Sequence, residues 1–435
     1  MHITRILTLL LLSVCFAILP INAEAVTFTV NSTVDAVDAV PGDESCATVG
    51  GECSLRAAIQ EANALVGPDS IKLKAGLYML TIEGRSENEC LTGDLDITQD
   101  LTIIGKGMNS TFINANKLDR VFHIRGEISV TLSDLTVQNG LATENGDGDA
   151  TRANGGGILN DARGVLTLQR VAISNNTAFT VPVQGEVDIV NGGGIYNVYS
   201  KLIITKSSLF NNAALGGMGL GGAIVNLGPK LTIKETKIYN NIVTARSGGF
   251  GGAIYTGGAG TSLTIRQSTI SNNTVTGTGI CVGGSIANES ETLTITQSII
   301  SDNRVMGGGD DCLGGGFTVN GKAMITGSTI SRNVARGPRA FGGAIRAWTG
   351  GIFDPELTVA GSTLSDNAAL AEAGEGLGGG VCIEDGTLTI QSASKILRNF
   401  SSDAGGGIFH GGAATVDISG SSVAKNIPDN IYPPP

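Results

Sequence analysis

The chain has 435 residues, a net charge of −11 at neutral pH, 64 glycines, 15% charged residues and 4% aromatic residues. That acidity excludes nucleic acid and anionic lipid as partners and disfavours a polyanionic glycan without local compensation. Ordinary hydrophobicity with about twice the usual glycine share excludes a disordered chain and suits a β-solenoid with many tight corners.

Residues 1–5 are followed by an apolar run over 6–19, ended by Pro20, and Ala23-Glu24-Ala25 offers a small-x-small cleavage site. The run is too short to span a bilayer. It predicts a signal peptide over 1–25, a secreted or bacterial cell-surface protein, and no transmembrane helix in the mature chain. An N-terminal cap is expected over 26–70. It opens with a strand at 26–30. In 53–64, Leu55, Ala58, Ile59 and Ala62 fall at helical spacing, as in a short amphipathic helix covering the end of a core. Strands are expected at 71–81, 95–104, 111–113, 121–124 and 130–137, in less regular coils that open a solenoid over 71–435.

From there the chain repeats. A glycine-rich step recurs at Gly156-Gly157-Ile158, Gly222-Ala223-Ile224 and Gly252-Ala253-Ile254 through to Gly406-Gly407-Ile408, with eight steps over 250 residues between Ile158 and Ile408. Each is followed by a segment such as Leu263-Thr264-Ile265 with Ser268-Thr269-Ile270-Ser271-Asn272-Asn273. Nine copies align on Ile173, Leu209, Ile238, Ile270, Ile300, Ile330, Leu364, Ile396 and Val423. Within each copy, apolar and polar residues alternate as in a strand with one buried face. Three residues past the anchor stand Asn176, Asn212, Asn241, Asn273, Asn303, Asn333, Asn367, Asn399 and Asn426. Stacked at strand spacing, these side chains would form a structural hydrogen-bonded ladder, and asparagine tolerates the left-handed backbone of a sharp corner. The residue before each ladder asparagine includes Asp302, Arg332, Asp366 and Arg398. Alternating signs read as an exposed ion ladder, not as catalytic carboxylates. Eight of the nine copies have Ser or Thr two residues before the anchor.

Beyond Cys15 there are six cysteines. Cys281 and Cys312 occupy equal positions in successive coils, five residues before Ile286 and Phe317, which predicts a disulfide between them. Cys46 and Cys53 form a second, short-range pair. Cys90 and Cys382 lie far apart in the stack.

Cys53-Ser54-Leu55-Arg56-Ala57-Ala58-Ile59 resembles the signature of secreted bacterial CSLREA-domain proteins, with Ala57 in place of the signature glutamate. Gly93-Asp94-Leu95-Asp96-Ile97 and 101–105 are similar to the stretch that follows it. Gly221-Gly222-Ala223-Ile224 and Phe210-Asn211-Asn212 resemble the repeats of chlamydial polymorphic outer-membrane proteins. Together the resemblances imply a single-stranded right-handed parallel β-helix of pectin-lyase-like, all-β architecture, secreted or surface-exposed and sometimes adhesive.

The same fold hosts polysaccharide lyases, which need carboxylates for calcium and an arginine or lysine base. The candidates are Asp310, Asp311 and Arg339, with Glu372, Glu375, Glu384, Asp385, Arg336 and Arg346 near them in sequence. The competing expectation is charged loop tips on a solvated solenoid. Asn145-Gly146-Asp147-Gly148-Asp149 has the composition of a calcium loop, with Asp147 and Asp149 as ligands, but not EF-hand spacing. No other cofactor is expected. His123 and His410 are separated by most of the stack, which argues against a histidine dyad. Trp348 and Phe353 lie in the insertion 346–356. Loops are expected at 177–191, 213–220, 242–250, 274–282, 304–313 and 368–377, projecting from one edge as the place for a partner. The function expected is therefore non-enzymatic presentation of loops to a surface or glycan ligand, with a polysaccharide lyase or hydrolase as the alternative.

Overall fold

The computed structural model describes residues 24–182, 186, 188–348 and 353–433. All but Glu24 and Ala25 of the leader expected over 1–25 thus lie outside the described residues. Among the described residues no helix is long and apolar enough to cross a membrane.

The chain is a parallel β-helix. Every strand pairing is parallel and joins a coil to the next, and the anchor column runs in unbroken register from Ile173 through Leu209, Ile238, Ile270, Ile300, Ile330, Leu364 and Ile396 to Val423. Alternation of apolar and polar residues drives this stacking. Ile224, Leu231, Ile233 and Ile238 of one coil are fully buried and meet their equivalents above and below in one continuous core. Each contributes about 1.5–3 kcal/mol by burial.

Five of the six expected loops are built largely of strands, and the sixth, at 177–191, carries strands Thr177–Phe179 and Ile189–Asn191 around residues 183–185 and 187, which lie outside the described residues. The segments at 213–220, 242–250, 274–282, 304–313 and 368–377 form much of a second sheet, through Ala213–Leu220, Ile242–Phe250, Thr274–Gly277, Cys281–Val282, Arg304–Gly307, Asp311–Leu313, Ala368–Ala371 and Gly376–Leu377. Much of the second sheet's inward face is small, Ala178, Ala214, Val243, Val275, Val305, Ala335 and Ala369 filling a thin second core, while Val282, Leu313, Phe341 and Leu377 pack with Cys382 in a further cluster. Glycine and alanine at these positions hide a strand that buries only a narrow face. The ladder asparagines stand at the neck between the two cores.

Two further details depart from expectation. The left-handed backbone falls not on the ladder asparagine but on the residue before it, with φ between 52° and 60° from Asn175 through Asn272, Asp302 and Arg332 to Lys425. The opposite corner uses two glycines with separate jobs. Gly221 has φ +57°, whereas a Cβ on Gly222 would lie 2.2 Å from the Gly252 carbonyl oxygen of the next coil.

The expected strand at 71–81 is two, Asp69–Lys72 and Gly76–Met79, and that at 95–104 divides into Leu95–Ile97 and Leu101–Ile104. One helix, α1 (Leu55–Ala64), covers the first coils. Ser54 caps it by accepting from the Ala57 amide, and Leu55, Ala58, Ile59 and Ala62 join the core. Its polar face grips the coil beneath. Arg56 pairs with Asp35 at 2.7 Å and donates to the carbonyls of Cys90, Thr92, Gly93 and Asp94. Asn63 donates to the Asp96 carbonyl and accepts from the Thr98 amide.

Candidate functional site

The ladder positions carry structure. Asn273, for example, accepts from the backbone and side-chain nitrogens of Asn241, donates to Asn303 Oδ1 at 3.0 Å and donates to the Ile238 carbonyl. The same pattern joins Asn176, Asn212, Asn241, Asn273, Asn303, Asn333, Asn367, Asn399 and Asn426. The Ser/Thr column is a second ladder: each hydroxyl accepts an amide from the coil before, as Ser298 does from Ser268 and Ser328 from Ser298. A third, Asn160–Asn197–Asn226, has no counterpart in the aligned segment and was not read from the sequence. Of the charged column, Arg332 clasps Asp302 with two hydrogen bonds and Arg398 clasps Asp366 likewise. Those contacts hold both carboxyls below their ordinary range. The column is thus two closed pairs, and the ion pairs join 302 to 332 and 366 to 398.

The cysteines need one correction. Cys46 and Cys53 are bonded. Cys281 and Cys312 are register partners in adjacent strands, but both thiols are free. The Cys312 thiol donates to the Arg336 carbonyl and the Cys281 thiol to the carbonyls of Gly279 and Met306, and the interaction between the two thiols pushes the Cys312 pKa up and the Cys281 pKa down. Shared register brings the sulfurs together without forming the bond.

The candidate lyase residues close on each other singly. Asp311 accepts two hydrogen bonds from Arg339, Arg336 donates to Glu372 at 2.7 Å, and Arg346 pairs with Glu384 at 2.8 Å. Asp310 accepts from the Asp311 amide at the strand end. Among the described residues, no three His, Cys, Asp or Glu side chains are arranged to hold a metal ion. The acidic loop at 145–149 binds its own backbone. Asn145 accepts from the amides of Asp147 and Asp149, and Asp149 accepts from Thr151.

That loop instead seals a buried charge cluster. Arg120 sits at its centre, 1% exposed. It contacts Asp94 at 3.3 Å, Asp119 at 3.4 Å and the Glu144 carboxylate, and it donates to the carbonyls of Glu144 and Asn154. Glu144 in turn accepts from the Gly146 and Gly148 amides. Beside it His123 lies between Asp96, 3.4 Å from Nδ1, and Asp161, 3.7 Å from Nε2. Burial works against the imidazolium, but the Asp161 and Asp96 carboxylates outweigh it and hold the His123 pKa up at about 9. Burial, with the Asp94 charge, pushes Asp119 up to about 7 against the pull of Arg120. The cluster comes from Gly93-Asp94-Leu95-Asp96 and Asp119-Arg120-Val121-Phe122-His123, two charge-dense stretches in a charge-poor chain. That density was the available signal; sequence reasoning weighed His123 only against the distant His410.

Both titrations set one pH limb of stability. His123 has a folded pKa of about 9, above the unfolded value near 6.5, so its contribution is full below about pH 6.5 and is lost as pH rises through 9. Asp119 is destabilising once ionised, so its penalty grows between about pH 4 and 7. Stability is therefore expected to fall on going from pH 6 to pH 9.5, by on the order of 2–3 kcal/mol from His123. Urea melts across that range read it. A limb of equal slope in His123→Asn contradicts the assignment.

The outer face of the first sheet carries a shallow groove of about 290 Å³, lined by residues that include Asn109, Phe112, Gln138, Ser174, Phe210 and Tyr239. Phe210 and Tyr239 are register partners with stacked rings, centroids 5.1 Å apart and planes 5° apart.

No family model and no curated protein matches this chain. Among solved structures it is similar to the A-module of the mannuronan C-5 epimerase AlgE6 of Azotobacter vinelandii, at 14% identity, over 88% of this chain and 95% of that one, with a TM-score of 0.34. A likeness of that strength transfers no activity.

Proposed function

We propose that this protein is an extracellular, non-enzymatic β-helix that meets a surface or glycan ligand through its regular outer faces. The observation that carries this reading is the one-to-one closure of the candidate acid–base residues: Arg339 on Asp311, Arg336 on Glu372 and Arg346 on Glu384. A guanidinium closed on its own carboxylate offers little charge to a substrate. The apolar leader, the Cys46–Cys53 disulfide and the CSLREA-like segment support export, because disulfides persist in oxidising compartments. The alternative, a polysaccharide lyase or hydrolase, draws on the Asp96–His123–Asp161 array, since an imidazole between two carboxylates suits proton transfer. Its burial beneath the loop at 144–149 favours a structural role. The test is incubation of purified mature protein with acidic and neutral polysaccharides, with and without calcium, following unsaturated ends and reducing sugar. No turnover is expected. Product formation abolished by Asp311→Asn, Arg339→Gln or His123→Asn overturns the proposal.

A further inference from the structure

We infer that the groove between Phe112 and Tyr239 on the outer face of the first sheet is a binding site for a neutral glycan chain. The inference rests on the reading above and names its ligand. Two outward columns build the groove. One runs Phe112, Thr136, Ala172, Ser208, and the other Gln138, Ser174, Phe210, Tyr239, each residue the register partner of the next. The floor is made small by Thr136, Ala172 and Ser174, while aromatic rings stand at both ends. From Phe112 to the coil of Phe210 is three inter-strand steps, about 14 Å.

The ring geometry sets what the groove can take. The 5.1 Å centroid separation of Phe210 and Tyr239 matches the coil spacing, so the two rings stack along the solenoid axis. One face of Phe210 is covered by Tyr239, and the other looks down the column onto Ser174 and the groove floor. A pyranose offers an apolar C–H face for such a ring and a rim of hydroxyls. The rim needs partners that both donate and accept, and the amides of Asn109, Gln138 and Asn175 with the hydroxyl of Ser208 supply them. A polyproline peptide also docks on aromatic grooves, but it brings almost only acceptors. None of the residues lining the groove is charged; the exposed Lys237, register partner of Ser208, stands just beyond its Tyr239 end, so a uronate chain meets at most one ammonium there. The nearest charged pair beside it, Arg170 and Asp134, is closed on itself by two hydrogen bonds.

Affinity electrophoresis of the full mature chain tests this, in gels cast with β-glucan, glucomannan or galactan, and with polygalacturonate or alginate as the charged set. At least one neutral polymer is expected to retard the protein, and the uronates are not. Phe210→Ala and Tyr239→Ala weaken retention by about tenfold or more, while Tyr239→Phe keeps it. Ala172→Lys, which fills the floor without removing a packed side chain, abolishes it and guards against loss through misfolding, with an unchanged thermal melt as the control. Retardation by uronates alone, by no polymer, or by a neutral polymer equally in Ala172→Lys and Tyr239→Ala overturns the inference. So does a proline-rich peptide that binds the parent protein and is lost on Tyr239→Ala, where no neutral glycan binds. Release of reducing ends in the same mixtures overturns the non-enzymatic reading instead, so the two failures are told apart.

Discussion

Arg120→Met is expected to lower stability by about 3–5 kcal/mol, the loss typical when one partner of a buried ionic network is removed. Arg120 contacts Asp94, Asp119 and Glu144 together, and it also caps the carbonyls of Glu144 and Asn154. Methionine fits the volume but leaves three carboxyls facing one another out of water. Burial already raises Asp94 and, together with the Asp94 charge, lifts Asp119 to about 7, so in the variant this pair would take up a proton and recover part of the loss at acid pH. Arg120→Lys should recover little, because one ammonium cannot span groups drawn from several coils. Because coils in a solenoid are coupled mainly to their neighbours, the damage should be local. Hydrogen exchange should rise across 85–161 and leave coils beyond Asn241 protected. A urea midpoint within error of the parent protein, or exchange raised uniformly, contradicts this account of the cluster.

The second large effect is expected at the asparagine ladder. Asn303→Leu removes the acceptor for both the Asn273 amide and the Asn273 side chain, and the donor to the Ile270 carbonyl. Each buried group left without a partner costs about 1–3 kcal/mol, so the substitution should cost about 2–5 kcal/mol. The neighbouring corner supplies the contrast. Asn272 is exposed with φ +55°, a backbone that glycine adopts freely, so Asn272→Gly should change stability by less than about 1 kcal/mol. Thermal melts of the two variants side by side decide the matter. Equal losses would mean that the column acts through its backbone conformation and not through its side-chain hydrogen bonds.

In a solenoid, stacking turns a column of aligned residues into a list of spatial neighbours. The sequence alone was therefore enough to determine the anchor register from Ile173 to Val423, the asparagine column beside it and the meeting of Cys281 with Cys312. The amphipathic spacing of Leu55, Ala58, Ile59 and Ala62 likewise marked α1 without a structure. Only the tertiary structure decided what does not repeat. The second sheet is hard to see in the sequence because its strands are short and bury mostly alanine, valine and glycine, with Leu313, Phe341 and Leu377 at isolated positions, which carries too weak a periodicity to separate from loops. The cluster of Asp94, Asp96, Asp119, Arg120, His123, Glu144 and Asp161 lies in the irregular first coils, where Asp96 and His123 are register partners but no repeated motif marks the column and the other partners sit at unequal separations. Whether a pair of charges meets, as Arg332 does with Asp302, depends on side-chain reach across a formed corner. The groove between Phe112 and Tyr239 exists only once small residues on intervening coils lie between large ones, a relief that emerges when the coils are stacked.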